Sequence, residues 1–353
     1  MELQLIRLTK KFPGFTLGPL DLKIKNEILV MIGLTGSGKT TILNLISGII
    51  RPDSGSIVLD GSEITHTPIE SRKIGYSFQT PWLFPHLNVY ENITFGLTKK
   101  DKQEKEIHVK ELLHDMRISH LNSRNIQGLS GGEMQKVSLA RMLAVEPKII
   151  LMDEPLAHLD PPTRRKLRIE LRSILRKYGI PAIYVTHFED DIYALADSVA
   201  ILHDGKMQDK GELEAILSSP SSQFISETLI GANYIEGKVL ESEAGITVIK
   251  VGPHLLETYG EYAAGSRVGL LLRPEEIFLS KDAVKTSARN VIRAEIVKIV
   301  QGFNIVDVCL QTDSLHLRAR VTEKARNELS IQTGDYIYAI FKAISPQVVR
   351  EES

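Results

Sequence analysis

Gly33-Leu34-Thr35-Gly36-Ser37-Gly38-Lys39-Thr40 is the stretch on which the fold turns. The run Glu27-Ile28-Leu29-Val30-Met31-Ile32 before it reads as a buried strand. Ile42, Leu45, Ile46, Ile49 and Ile50 after it fall at i, i+3, i+4, i+7, i+8, the stripe of an amphipathic helix. Strand, glycine-rich loop and helix in that order make the G-x-x-x-x-G-K-[ST] pattern a phosphate site. Gly33, Gly36 and Gly38 permit backbone angles that a side chain forbids. The loop amides can then wrap phosphate oxygens at the positive end of the helix. Lys39 places a point charge between the outer phosphates, and the Thr40 hydroxyl is a ligand for Mg²⁺.

Working outward, the chain of 353 residues has room for two domains, or three. Its formal net charge of −1 gives no basic surface, so no nucleic-acid partner is expected. The single cysteine, Cys309, excludes an internal disulfide and a structural zinc cluster and fits a reducing compartment. Met1-Glu2-Leu3-Gln4-Leu5-Ile6-Arg7 lacks the pattern of a signal peptide. No apolar run approaches the roughly 20 residues that span a bilayer, so at a membrane another chain must cross.

Residues 1–230 alternate apolar runs with helical patterns, which predicts an α/β domain with a largely parallel sheet. From about Gly231 short strand-like runs separated by turns predict an all-β domain over residues 231–353. The stretch Ser218-Ser219-Pro220-Ser221-Ser222, just upstream, reads as a linker or a loop into a last helix. The β region repeats itself. Asn233-Tyr-Ile-Glu-Gly-Lys-Val239 matches Asn290-Val-Ile-Arg-Ala-Glu-Ile296, and Gly265–Arg273 matches Gly334–Lys342. Two barrel-like halves, 231–283 and 284–353, are expected.

A second nucleotide element is Ile149-Ile150-Leu151-Met152-Asp153-Glu154. A buried strand whose C-terminal tip carries two acids sits where open α/β sheets bind ligands. Asp153 is expected to hold Mg²⁺, directly or through water. Glu154 is expected to face the terminal phosphate and act as general base on the attacking water.

Leu129-Ser130-Gly131-Gly132-Glu133 then opens a helical segment. With this element the chain resembles the nucleotide-binding subunits of ATP-binding cassette (ABC) transporters over residues 1–230. The resemblance implies an α/β P-loop NTPase domain with a helical subdomain, followed by an all-β domain of small OB/TOBE-like barrels. It implies ATP and Mg²⁺ as cofactors. ATP would be held by Gly33, Leu34, Thr35, Gly36, Ser37, Gly38, Lys39, Thr40 and Thr41, with Phe12 stacked on adenine and Phe15 as runner-up. Leu129, Ser130, Gly131, Gly132 and Glu133 would clasp ATP bound to the other subunit of a homodimer. Gln79 matches the loop glutamine that touches Mg²⁺ alongside Thr40 and Asp153. Asp160, in Leu156-Ala-His-Leu-Asp160, matches the dimer-contact loop, and His187 matches the switch histidine. The segment Pro81–His86 would lead toward an integral-membrane permease. The chain would then sit peripherally at the cytoplasmic face of the membrane.

Lys285-Thr-Ser-Ala-Arg-Asn290 is similar to the oxyanion stretch of Mop-like (TOBE) modules, and Phe341-Lys-Ala-Ile-Ser345 to its companion. The whole chain most resembles ATPase subunits of molybdate/tungstate importers, which work with an extracytoplasmic oxyanion-binding protein. Thr286, Ser287, Arg289, Asn290, Lys342 and Ser345 are the expected donors to a tetrahedral dianion, in a trans-inhibitory sensor. Glu323, Ile344 and Pro346 depart from the oxyanion pattern and weaken that expectation. Importers of sulfate, ferric iron, a sugar or a polyamine are the alternatives, and a soluble non-transport ABC ATPase is a further one.

Overall fold

The computed structural model describes residues 1–97, 101–218, 231–302 and 305–352. The chain divides into two compact units, Met1–Leu213 and Glu214–Ser353. The expected boundary after residue 230 falls at the edge of segment 219–230, outside the described residues. So do residues 219–222 of the stretch read as a linker.

In the first unit β1 (Glu2–Phe12), β2 (Phe15–Lys25), β4 (Ser54–Leu59) and β5 (Ser62–Glu63) form an antiparallel sheet in the order β2-β1-β4-β5. The second sheet has the order β10-β9-β3-β8-β7-β6. It comprises β3 (Ile28–Gly33), β6 (Ile74–Ser77), β7 (Ile149–Asp153), β8 (Ala182–Val185), β9 (Ser198–His203) and β10 (Lys206–Glu212). All pairings in it are parallel except β9 with β10. β3 lies between β8 and β9, and Ile28 through Ile32 are all buried. A strand covered on both faces needs an unbroken apolar run, which is what the sequence supplies.

Helix α1 (Lys39–Ser47) follows the glycine-rich loop. Its Ile42, Leu45 and Ile46 share a core with Leu29 and Met31 of β3 and with Leu5, Leu20 and Ile57 of the antiparallel sheet. The expected stripe is too long by one turn. Gly48, at φ +91°, ends the helix with its N–H on the Asn44 and Leu45 carbonyls, so Ile49 is left exposed. Arg72 completes the cap by donating to the Leu45 and Ile46 carbonyls at 3.0 and 2.7 Å.

A helical subdomain is inserted between β6 and β7. It contains α2 (Val89–Thr94), α3 (Lys102–Asp115) and α4 (Gly131–Ala144), each opened by a capping box. Next come α5 (Pro161–Tyr178), α6 (Glu189–Leu195) and α7 (Leu213–Ser218). Among the described residues no helix is long and apolar enough to cross a membrane.

The second unit holds β11 (Asn233–Glu243), β12 (Ile246–Val251), β13 (His254–Tyr259), β14 (Arg267–Leu272), β15 (Phe278–Ser280), β16 (Asn290–Gln301), β17 (Ile305–Gln311), β18 (His316–Thr322), α8 (Glu323–Leu329), β19 (Tyr336–Phe341) and β20 (Gln347–Glu352). One sheet runs β13-β12-β11-β14-β20 and the other β15-β19-β16-β17-β18. Each half builds four antiparallel strands and takes its fifth from the other half. Leu271 pairs with Gln347 in one sheet, and Ile340 with Phe278 in the other. The two halves are therefore not separate barrels with separate cores. Ile235, Leu256 and Leu270 pack in one cluster with Ile296, Leu317 and Ala339.

Candidate nucleotide site

The C-terminal ends of the parallel strands carry the predicted loop and three of the predicted residues. The loop 34–38 leaves β3, Asp153 ends β7, His187 lies two residues past β8, and Gln79 two past β6. Between the loop and the β1–β2 turn is a cavity of about 360 Å³. Phe12, Phe15, Thr35, Gly36, Gly38, Lys39, Thr40, Thr41 and Glu154 line it. The Phe12 and Phe15 rings are stacked, with centroids 6.4 Å apart, so both aromatic candidates border the same space.

Gly33 and Gly38 are required by close approach as well as by positive φ. A Cβ on Gly33 would stand 2.2 Å from the Leu202 carbonyl oxygen, and one on Gly38 2.6 Å from Leu17 Cδ1. Lys39 is 8% exposed. Its ammonium donates to the Gly33 and Leu34 carbonyls at 2.8 and 2.9 Å and to Ser37 Oγ at 3.3 Å. Burial pushes its pKa down, against the opposing pull of Glu154 and Asp153. Gly33, Leu34 and Ser37 thus act on the lysine.

The Thr40 hydroxyl hydrogen-bonds the Asp153 carboxyl. Burial raises the Asp153 pKa, and that hydrogen bond counters the rise. A hydroxyl and a carboxylate beside a phosphate cradle form a hard oxygen set that fits Mg²⁺. Among the described residues no three His, Cys, Asp or Glu side chains form a metal cage. Mg²⁺ held partly by substrate phosphates needs none. Gln79 is exposed beyond β6 and does not line the cavity.

Glu154 takes φ +46°, an uncommon angle for a side-chain-bearing residue, and its N–H donates to the Val185 carbonyl at 3.0 Å. This turn sets Glu154 Oε2 3.1 Å from His187 Nδ1. A carboxylate within hydrogen-bond reach of an imidazole, at the rim of a phosphate cavity, can accept a proton from water and hold its orientation.

At the start of α4, the Ser130 side chain accepts from the Glu133 N–H. The Glu133 carboxylate accepts from the Ser130 N–H at 2.8 Å and from its hydroxyl at 2.7 Å. Leu129 is buried beneath this turn. A Cβ on Gly131 would meet Leu159 at 3.2 Å, and one on Gly132 would meet Thr163 at 2.9 Å. The two glycines therefore let α4 approach the 156–160 loop and the start of α5. Asp160 caps α5, accepting from the Thr163 N–H at 3.0 Å.

A family profile described as "ABC transporter" matches residues 17–157, and one described as "TOBE domain" matches 286–345. The chain is 38% identical to the molybdate/tungstate import ATP-binding protein WtpC of Pyrococcus horikoshii, over 95% of this chain and 96% of that one. It belongs to the ABC-transporter ATPase family. It is also 33% identical to the sulfate/thiosulfate import ATP-binding protein CysA of Bacillus cereus, over 96% of each. Among solved structures, cbiO1 from Clostridium perfringens, part of the ABC transporter complex cbiONQ, superposes with TM-score 0.56 at 30% identity. That match covers 60% of this chain and 88% of cbiO1.

As an ABC-transporter ATPase with a TOBE domain, the chain binds ATP and Mg²⁺ and hydrolyses ATP to energise transport. In the TOBE region the structure does bring the two predicted oxyanion segments to one place. Asn290 pairs with Phe341, next to Lys342, and the 342–346 turn lies along β13 through Tyr259 N–H to Ala343 O and Thr258 hydroxyl to Pro346 O. Thr286, Ser287, Arg289 and Lys342 are exposed there and Ser345 is half-buried. Asn290 requires correction. It is 1% exposed, its amide oxygen accepts from the Glu257 N–H at 2.8 Å, and its amide nitrogen donates to the Glu257 carbonyl at 2.9 Å. The amide oxygen and one amide N–H are engaged by backbone, and burial keeps the side chain from an anion at the exposed turn. The Glu257 carboxylate also stands 3.8 Å from Arg289, a negative charge the sequence reading did not place there. Glu323, by contrast, opens α8 and accepts from Gln301 Nε2 at 2.8 Å.

One functional feature went unread in the sequence. Arg164, Arg168, Arg172 and Arg176 stand at four-residue spacing on α5 and hold the segment after β8 rung by rung. Arg164 stacks on Phe188 and Arg168 pairs with Asp191. Arg172 donates to the Ala194 carbonyl, and Arg176 pairs with Asp197. The repeat of arginine every fourth residue was the available signal.

Proposed function

We propose that this chain is the ATPase subunit of an importer for molybdate or tungstate. Residues 1–230 would form the catalytic domain, and the halves 231–283 and 284–353 a regulatory one. The observation that carries the cargo reading is the likeness to an archaeal molybdate/tungstate import protein through nearly the full length of both chains, β unit included. The sulfate/thiosulfate relative is also full-length, so sulfate is the second reading.

Two copies associate head to tail. Each ATP lies between one copy's 33–41 loop, with Phe12 or Phe15 at the base, and the Leu129–Glu133 turn of the other. On arrival of the triphosphate, Lys39 exchanges its loop carbonyls for phosphate oxygens. Thr40, Asp153 and Gln79 would hold Mg²⁺, which supplies charge neutralisation at those oxygens. Glu154 takes the proton of the attacking water, and His187 orients Glu154 and the terminal phosphate. Closure of the pair drives a separate integral-membrane permease, fed by an extracytoplasmic oxyanion-binding protein. The chain then works peripherally at the cytoplasmic face of the membrane. Thr286, Ser287, Arg289, Lys342 and Ser345 would offer tungstate or molybdate a regulatory site, without Asn290.

The test uses the full chain with its permease in vesicles. Binding protein loaded with molybdate or tungstate should stimulate ATP hydrolysis, and sulfate should not. Equal stimulation by sulfate would move the assignment to the second reading. Absence of any Mg²⁺-dependent hydrolysis would remove the ATPase mechanism itself.

A further inference from the structure

The arginine ladder on α5 carries an inference about how the two ATP sites of a dimer communicate. Its middle and lower rungs fix the segment after β8. Arg168 and Asp191 are 7% and 1% exposed, with Nε to Oδ1 at 2.7 Å. Asp191 Oδ2 accepts from the Tyr184 hydroxyl at 3.0 Å and the Thr186 hydroxyl at 2.9 Å, and Thr186 Oγ1 accepts from the Phe188 N–H at 3.0 Å. The backbone on both sides of His187 is therefore pinned. What is left to vary is the His187 and Phe188 side chains.

The top rung is different. Arg164 places its guanidinium carbon 3.8 Å from the Phe188 ring centroid, and that ring packs on the His187 ring at 4.1 Å. The same guanidinium donates to the Ala157 and Leu159 carbonyls at 3.2 and 2.8 Å. Those two residues belong to the loop that Gly131 and Gly132 of α4 approach through Leu159 and Thr163. Leu156, Leu159 and Leu167 form a small buried cluster that ties this loop to α5. A continuous line of contacts thus runs from the start of α4, through the 156–160 loop, to Arg164, Phe188, His187 and Glu154.

We propose that Arg164 is a positioning residue, which couples the state of the α4 start and the 156–160 loop to His187 through the Phe188 ring. The proposal rests on the head-to-tail reading above. There, the α4 start of one copy grips the ATP of its mate, while His187 serves the ATP on its own 33–41 loop. The line of contacts then lets occupation of one site set the histidine of the other. A cation over a ring face is a directional contact, and its loss lets the ring and the imidazole packed at a tilt against it turn away from Glu154.

The experiment measures ATP hydrolysis, nucleotide affinity and melting temperature of the full chain. Variants are Phe188→Leu, Phe188→Trp, Arg164→Gln and His187→Ala, singly and with His187→Ala as background. Phe188→Leu and Arg164→Gln should each lower kcat about tenfold with KM held within about twofold, because the lost interaction acts on orientation. Phe188→Trp keeps a ring face under the guanidinium and should stay within about twofold of the unmodified chain. On the His187→Ala background neither Phe188→Leu nor Arg164→Gln should lower kcat further. Normal kcat in both single variants, no rescue by tryptophan, or an undiminished loss on the His187→Ala background would each overturn the coupling while leaving the catalytic reading intact. A His187→Ala chain with unchanged kcat would instead overturn the catalytic reading, and the coupling with it.

Discussion

Lys39 in the α/β unit and Asn290 in the β unit are both buried polar side chains held by main-chain partners, Lys39 with one side-chain hydroxyl besides, yet they do opposite work. Lys39 is held by the carbonyl of Gly33, the last residue of β3, and by a carbonyl and a hydroxyl of the loop that follows it. An incoming phosphate can replace those acceptors without leaving a buried group unpaired. Asn290 meets both the N–H and the C=O of Glu257 inside β13. Removing it strands a part-buried donor and a part-buried acceptor together. Its repeat mate does the same in reverse. Asn233 accepts from the Arg318 N–H and donates to the Arg318 and Leu272 carbonyls, so each half's first strand clasps the other half's third. Burial with hydrogen bonds therefore marks a site only where the partners can be exchanged.

The sharpest break of this comparison is at Glu154. Glu154→Gln keeps the side-chain shape but removes the base, and kcat should fall by about 10³-fold while ATP binding and pairing of subunits persist. Single-turnover hydrolysis with size-exclusion chromatography in ATP checks both halves of that statement; a variant with near-normal turnover would place the base elsewhere. Next in size, Lys39→Ala should weaken ATP binding about 100-fold, read by calorimetry with Mg²⁺ present, and leave the melting temperature almost unchanged, since its loop partners become solvated. If Lys39→Ala proved as destabilising as an asparagine variant, the distinction between exchangeable and fixed partners would be lost.

Asn233→Ala and Asn290→Ala should each destabilise the β unit by about 2 kcal/mol, with ATP affinity unmoved. Hydrogen exchange should accelerate at β18 for the first and at β13 for the second; the same pattern for both would argue against the reciprocal clasp. The smallest effect is electrostatic. The Arg320 guanidinium, bonded to both Asp307 oxygens at 2.7 and 3.1 Å, and the nearby Arg318 charge hold the Asp307 carboxyl below its ordinary 3.8, against partial burial. A lowered carboxyl adds stability above the unfolded pKa and loses it as pH falls through the folded one. Asp307→Asn should therefore flatten the acid limb of β-unit stability below about pH 4, by under about 1 kcal/mol because the pair is partly solvated. Urea unfolding along a pH series measures it; an unaltered acid limb would mean that the pair contributes nothing.

The sequence by itself determined the phosphate loop, the acid-tipped strand, the helix start at Leu129–Glu133 and the internal repeat. Each is local: a backbone angle, a period, or a cap that neighbouring residues specify. It also matched Asn233 with Asn290 without giving their job, because an amide's partner is chosen by what packs beside it. Three things belonged to tertiary structure alone. The exchange of fifth strands and the shared core depend on pairing between residues far apart in sequence. The withdrawal of Asn290 depends on β13 lying against it. The line from α4 to His187 through Arg164 depends on α5 packing against the segment after β8, where its arginines are stacked, paired or hydrogen-bonded and Arg168 is buried. Periodicity records which face of an element is apolar, but not which distant element will cover the rest.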